Sequence, residues 1–208
     1  MVDLGANVGR FTSIFARYGC KVHSFEPTDK TFQVLCKRFE NKSNVICHKK
    51  AASVKNDMVK FYHHELSNYN PVYWSDGNSL LSSKTNVNKD DYEIVECIDF
   101  SEFIFSITQS QNVDLVKMDV EGAELLVLSG AEHLFKDLRP VWFVEVDDDR
   151  AIAFGKSANA IFEFFLDGGY RAFVFDDEDQ LFEVFSLSTT VDYLFIHHES
   201  ELLKTMGA

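Results

Sequence analysis

The chain has 208 residues, 46% of them hydrophobic and 25% charged, which is enough to bury one full core, and no apolar run approaches the roughly 20 residues of a membrane span. A net charge of −13 disfavours sequence-independent contact with a phosphate backbone, so neither nucleic acid nor membrane is expected as a partner. Cys20, Cys36, Cys47 and Cys97 form no C-x-x-C and have no histidine pair at finger spacing; they read as reduced core thiols, and without a basic, apolar leader the expected compartment is the cytoplasm.

In chain order, "VDLGANVGRF" (2–11) sends a short apolar strand into a glycine turn and then a helix. Apolar residues then recur at helical spacing in four stripes. These are Phe11, Ile14, Phe15 and Tyr18; Phe32, Leu35, Cys36 and Phe39; Phe100, Phe103, Ile104 and Ile107; and Ala158, Ile161, Phe162 and Phe165. Runs of strand length separate them at 21–25, 44–48, 113–118, 141–144, 170–175 and 191–196. That alternation predicts an α/β fold, a mostly parallel sheet with helices on both faces. The stretch between 175 and 191 is too short and acidic for a crossover helix, which predicts a closing antiparallel strand at the sheet edge. Residues 63–91, polar but carrying Tyr69, Tyr73 and Trp74, read as one long loop serving as a substrate lid. No linker or repeat divides residues 1–208, so a single domain is expected.

The opening turn poses a chemical question. A dinucleotide fingerprint needs G-x-G-x-x-G, but from Gly5 the later glycine positions hold Asn7 and Arg10. The pattern D-x-G-x-G-x-G fits better through Asp3, Gly5, Asn7 and Gly9, because asparagine tolerates positive φ. Glu26 ends the next strand about 20 residues beyond the first glycine, where an acid can grip ribose hydroxyls, and Pro27 then stops the strand.

A second constellation, "VDLVKMDVEGAELLVLSGA" (113–131), places Lys117 inside an apolar strand and Asp119 at its end. A buried lysine needs a partner charge, and Asp119 shares its strand face. Glu121 and Glu124 follow in the turn and at the helix start, where the helix dipole also favours acids. Glu145 and Asp147–Asp149 end another apolar strand; were they to meet Asp119, a divalent cation could be held, although no metal ligand is assigned.

"VDLGANVGRF", "SFEP", "AAS", "DGNSLLSS", "LVKMDVEGAELLVLSGA" and "RPVWFVEV" occur in the order found in FkbM-type methyltransferases, and the chain resembles that family over nearly its whole length. The resemblance implies a Rossmann-like class I fold, a seven-stranded sheet with an antiparallel last strand. It implies S-adenosyl-L-methionine as cofactor and O-methyl transfer to a hydroxyl of a sugar, glycan or small natural product. The match carries over Asp3, Gly5, Ala6, Asn7 and Gly9 as the cofactor turn, Glu26 with Pro27 as the ribose-binding corner, and Lys117, Asp119, Glu121 and Glu124 as the second signature. Asp119 is the expected base or substrate orienter, held by Lys117, with Glu121 second. Relatives usually carry a covering segment before the first strand, and its absence here is an expectation about this chain. Two rival readings are a Mg2+-assisted O-methyltransferase and a cofactor-binding module without catalysis. Oligomeric state is not written in the sequence.

Overall fold

A computed structural model describes residues 1–66, 78–80, 82, 87–108, 112–131 and 134–206. The first half runs β1 (Val2–Leu4), α1 (Arg10–Arg17), β2 (Val22–Phe25), α2 (Asp29–Phe39), β3 (Val45–His48), β4 (Ala51–Ser53), β5 (Asp57–His64) and β6 (Val87–Asp99). There follow α3 (Phe100–Thr108), β7 (Leu115–Met118), α4 (Glu124–Ser129), a π-helical turn (Leu134–Leu138), β8 (Val141–Glu145) and α5 (Asp148–Ala153). The chain continues through α6 (Ala158–Asp167), β9 (Tyr170–Phe175), β10 (Leu181–Val184), β11 (Asp192–His197) and α7 (Glu201–Met206).

The main sheet has the order β10–β9–β11–β8–β7–β1–β2–β3. Strands β3, β2, β1, β7 and β8 are parallel, and β11 lies antiparallel between β8 and β9. The Rossmann-like α/β class is therefore as expected, with two corrections. The closing strand is internal rather than at the edge, and the sheet has eight strands because β10 hairpins onto β9. The acidic stretch builds that hairpin. Asp176 Oδ1 accepts the N–H groups of Glu178 (2.9 Å) and Gln180 (2.8 Å), and Glu183 pairs across the strands with Arg171.

A second correction concerns 63–91. His63 and His64 belong to β5, and residues 87–91 to β6, which pair antiparallel from Asp57↔Cys97 to His64↔Val87. With β4 they form a separate three-stranded sheet. The aromatics Tyr69, Tyr73 and Trp74, on which the lid expectation rested, lie outside the described residues.

Alternation along the central strands sorts the core. Val2, Leu4, Phe25, Val116, Met118, Trp142 and Val144 face one way, onto Ile104, Val127 and Phe165 of the covering helices. The opposite face carries Asp3, Ser24 and Lys117 beneath Thr12 of α1. Trp142, Phe165, Phe195 and Tyr170 interlock near the centre, Phe165 stacking on Phe195 at 4.0 Å between ring centroids. Among the described residues no helix is long and apolar enough to cross a membrane.

Because Phe165 is fully buried in that stack, Phe165→Ala is expected to cost about 3–5 kcal/mol of stability. Denaturant unfolding checks it; a loss under about 1 kcal/mol would show that the core collapses freely around the gap.

Candidate functional site

The parallel strands β1, β2 and β7 end together, and the site forms where they do. The turn after β1 needs left-handed backbone at Gly5 (φ 71°), Asn7 (φ 50°) and Gly9 (φ 82°), which explains two glycines and an asparagine at this spacing. Gly5 has a second reason: a Cβ there would lie 1.9 Å from the carbonyl oxygen of Asp119. Gly9 turns away from the site, since its Cβ would strike Phe39 at 2.4 Å, so its role is to let α1 approach α2. Ala6 packs with Leu35 and Phe39, and its N–H donates to the Phe25 carbonyl at 2.8 Å.

That bond ties the turn to the end of β2, and Glu26 repeats the tie. Its Oε2 accepts the N–H of Asn7 at 3.1 Å; its Oε1 accepts the N–H (3.0 Å) and the hydroxyl of Thr28. The carboxyl is buried, and burial pushes it up to about 7 against the opposing pull of these hydrogen bonds and of Lys117.

Asp3 lies underneath. It is fully buried; Oδ2 accepts the Thr12 hydroxyl at 2.6 Å and Oδ1 faces the Lys117 ammonium at 3.7 Å. Lys117 Nζ also donates to the carbonyls of Gly5 (2.8 Å) and Leu4 (3.3 Å) and meets Asp119 Oδ2 at 3.4 Å. Burial depresses the Lys117 ammonium, but Asp3 and Asp119 outweigh it and the net shift is upward, so the charge is held.

Above this pair a cavity opens. Gly5, Asn7, Phe25, Glu26 and Pro27 form one wall, and Asp119, Val120, Glu121 and Ala123 form the next. The far wall comes from Lys50–Ala52, Phe61, Asn78 and Leu80. The predicted residues thus divide. Gly5, Asn7, Glu26, Pro27, Asp119 and Glu121 line the cavity; Asp3, Ala6, Gly9 and Lys117 support it from behind.

The turn after β7 is as constrained as the first. Glu121 (φ 60°) and Gly122 (φ 101°) are left-handed, and buried Glu124 Oε1 accepts the N–H groups of Val120 (3.1 Å) and Gly122 (3.2 Å). Glu124 is therefore spent on the turn. Burial raises its carboxyl.

Sequence reasoning missed Arg150. Its Nη1 lies 3.4 Å from Asp119 Oδ1, 3.3 Å from Glu121 Oε1 and in contact with Glu145 Oε2. A guanidinium thus stands where converging acids would have held a divalent ion, and among the described residues no three His, Cys, Asp or Glu side chains are arranged to hold one. Asp147 instead accepts the Arg150 N–H as the cap of α5, and Asp148 accepts the N–H of Ala158. The far wall was also missed, because Phe61 belongs to a sheet with no periodic signal and Asn78 and Leu80 only flank the isolated bridge of Ser79 to that sheet; the only sequence cues were "AAS" and "DGNSLLSS".

The sequence profile of the Methyltransferase FkbM domain matches residues 3–172. The chain belongs to this family. It is 26% identical over 162 residues to Methyltransferase 1 of Beauveria bassiana, an alignment covering 72% of this chain and 65% of that protein. Among solved structures it is similar to Methyltransferase FkbM from Methylobacillus flagellatus KT, with a TM-score of 0.56 at 16% identity, covering 95% of this chain and 43% of that one. The chain therefore spans about two thirds of the length of the first and under half of the second. At that identity the likeness is one of fold, and it agrees with the parallel sheet and its antiparallel insertion.

The raised Glu26 carboxyl has a consequence for stability. With a folded value near 7 against an ordinary 4.5, the folded chain binds the extra proton between those limits, so stability falls as pH rises through that window, by about 3 kcal/mol in all. Glu26→Gln should flatten this part of the slope. Urea unfolding of both proteins at pH 4.5 and 7.5 tests it; equal slopes would show that Glu26 titrates normally.

Proposed function

We propose that this FkbM-family domain is an S-adenosyl-L-methionine-dependent O-methyltransferase whose acceptor is a hydroxyl of a sugar, glycan or small natural product. The observation that carries the reading is the Glu26 corner: a buried carboxylate hydrogen-bonded to the left-handed turn after β1, with both on the wall of one cavity.

The residues present fit the cofactor. A carboxylate offers about four acceptor sites, and Thr28 and Asn7 use three of them on Glu26, leaving one on Oε2 among the described residues. That site suits one ribose hydroxyl; accepting both would require the Thr28 hydroxyl to turn away. Gly5 lines the cavity with backbone alone. With Lys117 matched by Asp3 beneath and Glu145 raised above the ordinary carboxylate range, Asp119 and Glu121 against Arg150 still leave the mouth a surplus of negative charge, which favours a cation over an anion.

When bound, S-adenosylmethionine supplies a methyl group already activated on a sulfonium. The protein's part is then to align, exclude water and manage one proton. Asp119 accepts the proton that the acceptor hydroxyl gives up as its oxygen takes the methyl. Burial raises the Asp119 carboxyl, but Lys117 and then its Glu145 and Arg150 contacts pull harder, and the net shift is downward. It is therefore ionised at neutral pH and ready to receive. Lys117 holds both Asp119 and the Gly5 carbonyl, so base and turn keep a fixed relation. Phe61 and Leu80 supply apolar wall, Asn78 a polar one. A neutral polyol suits the acidic mouth better than a phosphorylated acceptor does.

Two outcomes test this. Calorimetry with S-adenosylhomocysteine should give an affinity that strengthens up to about tenfold per pH unit toward 7 and then levels off, because hydroxyl donors favour the ionised Glu26. Glu26→Gln should bind more weakly and lose that pH dependence; affinity equal to wild type would refute the ribose assignment. Isotopically labelled cofactor incubated with glycan and alcohol pools should yield a methylated product. Asp119→Asn should then keep affinity within about threefold while cutting transfer by about 10²–10⁴. Full transfer by that variant would reduce Asp119 to a structural residue.

A further inference from the structure

Arg150 enters the mouth of the cavity from the first turn of α5, and the methyl-transfer reading above gives it no role of its own. Its backbone is wedged into the second turn: a Cβ on Gly122 would lie 2.4 Å from the Arg150 carbonyl oxygen. Its N–H is fixed at 2.9 Å on Asp147. The guanidinium is therefore delivered rigidly between Asp119, Glu121 and Glu145, which come from a strand end, a turn and a second strand end.

One guanidinium cannot neutralise three carboxylates held this close. Like charges at about 4 Å repel by about 4 kcal/mol at an effective dielectric of 20, which is several pH units of proton affinity. The cations are also unequally shared. Asp119 touches both Lys117 (3.4 Å) and Arg150 (3.4 Å), whereas Glu145 meets Arg150. Glu121 also meets Arg150 (3.3 Å). Asp119 and Glu145, however, hydrogen-bond each other, which two carboxyls do only with a proton between them. The proton therefore resides on the member of that pair with less cationic support.

We propose that Arg150 is the positioning residue of this site: with Lys117 it keeps Asp119 ionised at the cavity wall and leaves the surplus proton of the cluster on Glu145. The assignment rests on the methyl-transfer reading only for its use, since an ionised Asp119 is what takes the acceptor's proton. Burial, then Asp119 itself, raise the Glu145 carboxyl far above the ordinary carboxylate range, in keeping with this division. The other charged groups facing the cluster do not change it. Asp3 lies beyond Lys117 and Glu124 beneath the turn; Asp147 caps α5; and Asp192 of β11, opposite Glu145 in the strand register, is raised by desolvation and by Asp119 and drawn down by Lys117, Arg150 and Arg10.

The test needs no acceptor. Carboxyl-carbon NMR of the ligand-free protein, assigned with Asp119→Asn and Glu145→Gln, should find Asp119 titrating below and Glu145 above the usual carboxylate range. In Arg150→Met the Asp119 titration should rise by more than about one pH unit, and Arg150→Lys should recover part of that shift. A merely structural Arg150 would lower the melting temperature in Arg150→Met and leave the Asp119 titration where it was, which overturns the proposal. Should Arg150→Met fail to fold, the wild-type titration still decides, because a Glu145 that titrates normally overturns it too. Parallel S-adenosylmethionine calorimetry separates the failures. Absent binding by wild type sinks the methyl-transfer reading, while an unmoved titration with binding intact sinks the Arg150 assignment alone.

Discussion

The architecture of the site depends on one buried ammonium. Lys117 Nζ sits under the first turn, donating to the Gly5 and Leu4 carbonyls and facing Asp3 and Asp119. Carbonyls that end a parallel strand lose their ladder partners, and a turn with left-handed residues aims them into the protein, where unmet acceptors cost about 1–3 kcal/mol each. Lys117 meets the carbonyl of Gly5 and shares that of Leu4 with the Asp119 N–H (3.2 Å). It also supplies the charge that allows Asp3 to be fully buried between Thr12 and the sheet. Removing either member would leave the other as an uncompensated buried charge, the situation that makes such pairs hard to dismantle. The same ammonium reaches the strand end that carries Asp119, so the turn on β1 and the acid on β7 are fixed to each other through a single atom.

Around that centre the structure repeats one device: a carboxylate accepts the N–H groups that a tight turn leaves without partners. Glu26 does so for Asn7 and Thr28, Glu124 for Val120 and Gly122, Asp147 for Arg150, and Asp176 for the hairpin before β10. This explains how so acidic a chain folds. Several of its acids are part of the backbone's hydrogen bonding, and three at the site, Asp119, Glu121 and Glu145, are gathered by Arg150.

What could be read from the residues follows from where their partners lie in the chain. Stripes such as Phe100, Phe103, Ile104 and Ile107 have their partners within two helical turns, and they mark α3 correctly. The Gly5–Asn7–Glu26 relation was legible because turn and acid sit one βαβ step apart, and Lys117 because a lysine among Val116 and Met118 must have a charge to meet. Arg150 was opaque: its carboxylates come from three separate segments, and in "DDDR" it looks like any helix-start arginine. The second sheet was hidden for another reason. Much of the face of β6 away from its core is charged, so "VNKDDYEIVECID" alternates clearly only toward its end, where Val95 and Cys97 are buried. The strand β10 was masked by the acids that make its turn.

The two walls of the cavity are consequently held by different physics. The turn wall is locked by left-handed glycines, a buried ion pair and backbone hydrogen bonds, and it cannot shift without breaking several at once. The far wall hangs on a small sheet whose own core is Ala51, Val95 and Cys97, joined to α2 by Glu93, which accepts the Asp29 N–H (3.1 Å) and contacts His63 (3.1 Å). Lys50–Glu96 and Lys49–Asp29 add exposed pairs of small individual worth. His63 lies between Asp91 and Glu93, and its hydrogen bond to Glu93 contributes most to holding its ring above its ordinary value, so that contribution to the anchor is present at low pH and lost as pH rises through the folded value. The small sheet is also anchored in the main core through Ala52 and Ile98, so what differs between the walls is that Phe61 and Leu80 line the cavity with side chains, whereas Gly5 lines it with backbone. A change in those side chains needs no change in Lys117, Glu26 or Gly5, because none of them takes part in holding the small sheet.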